Sequence, residues 1–230
     1  MNILNKSIKS SVLFKFETIN HLQASEKYLQ INNKMTSILK TVGSAVTGKF
    51  LEKPKYEKTS TSSSDDDVEE RHYEAAKWVS TKTMGMNREE AVSAGFQRLF
   101  KYITGTNENN QKIDMTAPVA TKILPGAGPN CENTFTTSFY IPPEHQDNPP
   151  KPTNPDVFIE DRPAMDVYVK SFGGFAKEQD WLSEAQKMTE QIKDKTTINQ
   201  DYWFTAGYNS PFQLFARTNE VWLIKNKDKE

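Results

Sequence analysis

Apolar and polar residues alternate strictly through QKIDMTAPVATK, residues 111–122. Ile113, Met115, Ala117 and Val119 fall on one face, and Asp114, Thr116 and Pro118 on the other. A period of two predicts a half-buried β-strand. Pro118 has no N–H to donate, which places it at an edge or a bulge. Residues 202–208, YWFTAGY, carry a second version of the stretch: Met-Thr-Ala-Pro-Val at 115–119 lines up with Phe-Thr-Ala-Gly-Tyr at 204–208. The pair predicts a chain built from two copies of one unit.

The remaining pattern fits that expectation. Residues 73–81 read as a strand. Asn87 with Glu90 three positions on makes a capping-box signature. A helix follows to about Thr104, with Val92, Phe96, Leu99, Phe100 and Ile103 on its apolar face and Gly105 as its stop. PGAGP at 125–129 is a turn, 135–141 a strand, and the six prolines of 142–155 predict an extended loop. Residues 158–172 contain a strand, 177–193 a helix with Trp181, Leu182, Ala185, Met188 and Ile192 on one side, and 202–208 and 221–225 the closing strands. Strand–helix–strand–strand thus occurs twice, in halves of about 71–142 and 156–226. Local matches support the repeat: Glu70-Arg71 with Asp161-Arg162, and Phe139-Tyr140-Ile141 with Trp222-Leu223-Ile224. Antiparallel strands with one helix per half predict an α+β fold: duplicated βαββ units forming a distorted, mostly antiparallel β-barrel flanked by two long helices.

Residues 1–55 read as an N-terminal extension. Residues 1–34 have no sustained period and read as disordered. Met35, Ile38, Leu39, Val42, Val46 and Phe50 make a weak amphipathic helix over 35–51. It reads either as a targeting or membrane-surface helix or as a segment that frays or docks on the core. Its lysines without arginine count against a mitochondrial presequence. Residues 53–70, KPKYEKTSTSSSDDDVEE, have the composition of a linker leading into the domain at 56–230. The acidic run lacks the glycine and glutamate of a calcium loop.

A net charge of −1 gives no support for nucleic acid as a partner. The single cysteine, Cys131, cannot form an internal disulfide, and a reducing compartment with cytoplasmic localisation is expected. No apolar run approaches the roughly 20 residues of a membrane span. The chain holds no HxxxH, CxxC, GxSxG, P-loop or dinucleotide glycine pattern, so it reads as non-enzymatic.

Several segments resemble the SOUL, or heme-binding protein, family: Arg71-His72-Tyr73, residues 77–81, 100–103, 112–119, 140–142, 157–162, 172–175 and 206–211, and Asn219–Ile224. The likeness runs from about Tyr56 to Lys225. RHY…AKWVST and DVFIEDR bring it nearer to the vertebrate heme-binding protein 2 branch. The resemblance implies a barrel of duplicated βαββ units, binding of heme or related tetrapyrroles, and no catalytic activity.

Heme asks for an apolar slot, cations for its propionates and often an axial ligand. Of His21, His72 and His145, the resemblance points to His72 of the RHY motif as the iron ligand. The alternative is a half-exposed histidine at a strand entrance. Family positions along the first helix fall on Ser93, Phe96, Phe100 and Lys101. Phe96 and Phe100 sit one turn apart and can stack on a porphyrin or serve as core. Lys101 and Arg217 can reach propionates or stay solvated. Ser93 stands where relatives carry a cation, which weakens the propionate site. Two other functions compete. The closer branch implies mitochondrial association and mitochondrial protein partners in cell death. Residues 185–197 lack the Leu and Gly-Asp of the helical motif that role requires. The third reading is a binder of another apolar small molecule.

Overall fold

The computed structural model describes residues 51–59, 67–128, 131–192, 197–210 and 213–226. Expectations for the helix at 35–50 and for the Ser/Asp run at 60–66 lie outside them. The described residues belong to one compact unit that starts at Leu51.

In chain order the elements are β1 (Tyr56–Lys58), β2 (Val68–Tyr73), β3 (Ala76–Gly85), α1 (Arg88–Ile103), β4 (Val119–Leu124), β5 (Asn133–Tyr140), a 3-10 turn (Pro143–His145), β6 (Val157–Arg162), β7 (Met165–Phe172), α2 (Glu178–Gln191), β8 (Ile198–Gly207) and β9 (Asn219–Lys225). The nine strands of the described residues join one sheet in the order β1-β2-β7-β9-β8-β4-β5-β3-β6, with every neighbouring pair antiparallel. The sheet curls into a half-barrel, open between β1 and β6.

The duplication is present, with one strand more per half than expected. Each half is strand–strand–helix–strand–strand. The added first strand crosses over: β2 pairs with β7 of the second half, and β6 with β3 of the first. At the centre β4 and β8 join the halves, Val119 opposite Gly207 and Ile123 opposite Trp203.

Alternation sorts side chains onto the two faces of the sheet. The concave face holds Tyr73, Trp78, Ala120, Tyr140, Val167, Phe204 and Trp222 in one buried cluster. The convex face is covered by the helices. α1 buries Leu99, Tyr102 and Ile103 against Val79, Phe139 and Ile141. α2 buries Trp181 and Met188 against Val221 and Leu223. α1 starts where the capping signature placed it: Asn87 Oδ1 accepts from the Glu90 amide at 3.2 Å. Gly105, at φ 118°, follows its end. Gly95 lets the helix approach the sheet, since a Cβ there would lie 2.8 Å from Thr137 Oγ1.

Four sequence expectations need correction. The strand read over 111–122 begins only at Val119. The peptide into Pro118 is cis, and without an N–H that residue cannot join the ladder of a central strand. The strand read over 73–81 is two strands broken at Glu74-Ala75, because β2 and β3 belong to opposite ends of the sheet. The linker read over 53–70 contains β1 and the start of β2. Its apolar content is low because β1 is exposed and Val68–Glu70 are only half-buried; the buried residues of β2, Arg71 and Tyr73, come after it. Lastly, Phe139 and Trp222 are not repeat equivalents, since Phe139 faces α1 and Trp222 the concave core.

Candidate functional site

The sequence-predicted residues fall in three places. Phe96 and Phe100 occupy the half-buried edge of α1. Their rings stack at 5.9 Å with 13° between planes, and Phe96 meets Phe139 edge-on at 5.2 Å. Met115, Val119 and Ile159 pack beside them around the same core cluster. The core claims one side of each ring and solvent reaches the other, so they extend an apolar surface outward from the core. Ser93 is half-buried one turn earlier. Lys101, in the last turn, is exposed, and its side chain makes no ion pair among the described residues.

Arg217 sits in the loop between β8 and β9. Its Nη1 donates to the carbonyls of Ser210 (2.7 Å) and Gln213 (2.8 Å), and its guanidinium lies 4.4 Å from the centre of the exposed Phe175 ring. Arg217 is thus largely committed to its own loop, with Nε left without a partner.

His72 lies elsewhere. It alternates with the inward Arg71 and Tyr73 and therefore points off the other face of β2. Its Nδ1 is 2.8 Å from Asp166 Oδ1, directly across on β7, and its side chain is 43% exposed. A carboxylate on Nδ1 leaves Nε2 outward, the arrangement found behind metal-bound histidines. Yet β2 is five strand positions from β5, on which α1 lies. At about 4.8 Å per strand that is roughly 24 Å along the sheet. The structure brings Phe96, Phe100 and Lys101 together and leaves His72 apart. His145 is in the turn after β5, and His21 is outside the described residues. Among the described residues no group of three His, Cys, Asp or Glu side chains could hold a metal ion.

Residues 51–224 match the SOUL heme-binding protein family. The chain belongs to that family. Human heme-binding protein 2 is 47% identical over 166 residues, which cover 69% of this chain and 78% of the human protein. The mouse heme-binding protein 2 is 45% identical over 159 residues, with the same coverage of both chains. Heme-binding protein 1 of Xenopus laevis is 37% identical over 158 residues, 69% of this chain and 83% of that protein.

The residues on α1 fit a flat macrocycle lying on the surface: two stacked rings for its face and one free ammonium for a propionate. They do not supply iron with an axial histidine. His72 supplies the ligand geometry without the apolar wall.

A further arrangement lies between the helices. Arg88, at the first position of α1, donates from Nη2 to Thr205 Oγ1 on β8 (2.7 Å), and its guanidinium stands 5.0 Å from the Trp181 ring centre on α2. Burial lowers the Arg88 pKa to about 10, against the attraction of Glu178 and Glu89. The sequence gives no signal for this pairing. Arg88 reads as an ordinary charge in a first helical turn, and Trp181 as core.

Proposed function

We propose that this chain is a non-enzymatic heme- or tetrapyrrole-binding protein, and that the ligand lies on the α1 surface made by Phe96 and Phe100. The observation that carries the proposal is membership of the SOUL family across 51–224. The stacked, half-exposed phenylalanine pair supports the place. Apolar contact with the macrocycle face supplies most of the affinity. Lys101 takes a propionate as a point charge, whereas Arg217 stays with its own loop. A second reading, iron ligation by His72, is favoured by the Asp166 carboxylate behind its Nδ1.

Hemin titration of the full chain followed at the Soret band tests both. Saturable one-to-one binding is expected. Phe96→Ala/Phe100→Ala should weaken it about tenfold or more, while His72→Ala leaves band position and affinity unchanged. Loss of the band shift in His72→Ala alone would move the heme to the β2 face. Absence of saturable binding would sink the tetrapyrrole reading.

A further inference from the structure

Between the first turns of α1 and α2 lies a cavity of about 120 Å³. Its apolar lining comes from Ile123 of β4, Phe135 of β5, Trp203 of β8, and Trp181 and Leu182 of α2; Arg88, Asn133 and Glu178 supply the polar groups. A cavity of about 150 Å³ is known to hold one benzene ring, so this one takes a single ring or a short acyl chain. A whole macrocycle does not fit.

Two of its lining side chains carry donors with nothing to donate to. Trp181 is 5% exposed, and its Nε1–H has no partner. Arg88 Nε is likewise buried and unpartnered. Among the described residues, no carboxylate lies within ion-pair distance of Arg88, whose one hydrogen bond is to the neutral Thr205 hydroxyl. Buried charges are normally paired, and a buried N–H left unmade is costly. Arg88 is half-buried. The two buried arginines among the described residues each hold an ion pair, Arg71 with Glu220 and Arg162 with Glu160, although Arg162 also leaves Nε and Nη1 unpartnered. Glu178 attracts Arg88 from beyond ion-pair distance, so no carboxylate of the described residues touches the guanidinium, and most of the cavity lining around it is apolar.

We infer that the interhelical cavity binds a small organic carboxylate, with one aromatic ring or short acyl chain seated against Trp181, Trp203 and Phe135 and its carboxylate accepting from Arg88 and Trp181. Arg88, Val92, Phe96 and Phe100 recur at every fourth position along one edge of α1. The cavity is therefore at the opposite end of the helix from the lysine of the tetrapyrrole surface, and its ligand is distinct. Among the described residues that line the cavity, Glu178 is the one with a negative charge. It disfavours an anion, so its neutralisation should tighten binding.

The probe is 3-phenylpropionate, with 3-phenylpropanol as its neutral control, added to the full ¹⁵N-labelled chain. Saturable shifts of the Trp181 indole and Arg88 Nε–H signals are expected with the acid, and binding at least tenfold weaker with the alcohol. Arg88→Met keeps the stem and removes the charge; it should weaken the acid tenfold or more. Trp181→Phe keeps an aromatic ring, though a smaller one, and removes the N–H; it should weaken it severalfold and serves if Arg88→Met does not fold. Glu178→Gln should tighten it about twofold to threefold. Equal binding of acid and alcohol, no saturable shift, or weakening in Glu178→Gln would overturn the inference. So would perturbation of these two signals by hemin alone, which would make the cavity part of the tetrapyrrole surface.

Discussion

Each half of the duplicated fold sends an arginine from its first strand into the concave core, and the two are stabilised differently. Arg71 of β2 is held by carboxylates and hydroxyls. Its Nη1 donates to Glu220 (3.1 Å) and to the Tyr73 hydroxyl (3.2 Å), and Glu69 accepts from Nε and sits beside Nη2. Glu220 in turn accepts from Tyr208 (2.6 Å), the Trp222 indole (2.8 Å) and Ser171 (3.3 Å). Arg162 of β6 is held mainly by aromatic faces, 4.2 Å from the Trp78 ring centre and 5.0 Å from that of Phe204. Glu160 and Ser138 accept from its Nη2, but Nε and Nη1 have no partner. Burial opposes both charges. At Arg71 the surrounding acids win and the pKa rises; at Arg162 burial wins and it falls. The same residue type in the same core is therefore a closed ionic network on one side and a partly unpaired cation on the other. Pairing, not burial, decides what such a charge is worth.

The largest test of this contrast is Glu220→Gln. It leaves Arg71 buried without its main counter-charge and should cost roughly 3–5 kcal/mol in urea unfolding. Arg162→Met removes a cation whose donors are already partly unpaired. Its loss should be smaller, about 1–2 kcal/mol, reflecting the two aromatic contacts. Equal losses would break the comparison.

A pH series sharpens it. Burial raises the Glu160 pKa, but the charge of Arg162 and hydrogen bonds from Ser80 and Arg162 outweigh it, so the carboxyl titrates below its ordinary value of 4.5. A depressed carboxyl adds stability that is complete above that value and lost as pH falls through the folded pKa. The gap in melting temperature between wild type and Arg162→Met should therefore be widest at neutral pH and narrow on acidification below 4.5. A gap that stayed constant would show that the ion pair contributes nothing. The smallest effect belongs to Lys58, paired with Glu69 at 2.8 Å but with its side chain 58% exposed. Lys58→Ala should shift stability by no more than about 0.5 kcal/mol in the same unfolding assay.

Both helices, the duplicated order and most strands were legible in the pattern of the chain, because period, caps and stop residues are local. Asn87 and Gly105 bound α1 as read. The repeat match of Glu70-Arg71 with Asp161-Arg162 aligned two arginines whose burial only the fold revealed. β1 and β2 were hidden because β2 finds its partner β7 almost a hundred residues away, β1 is exposed and pairs only with β2, and one of the two inward residues of β2, Arg71, is charged. The candidate site divided in the same way. The Phe96–Phe100 stack follows from helical spacing, whereas the distance to His72 follows from strand order.

By itself the sequence determined both helices and most of the strands, that the unit occurs twice, and which family the chain belongs to. These rest on short-range stereochemistry and on residues that sit close together along the chain. Only the tertiary structure decided that β2 and β6 exchange between halves and that His72 and α1 lie on separate parts of the sheet. It also decided that Arg88 and Trp181, from helices ninety positions apart, share one cavity. These outcomes depend on which strands pair and how two helices lie across one sheet. No window of the sequence carries that information, because long-range packing sets it.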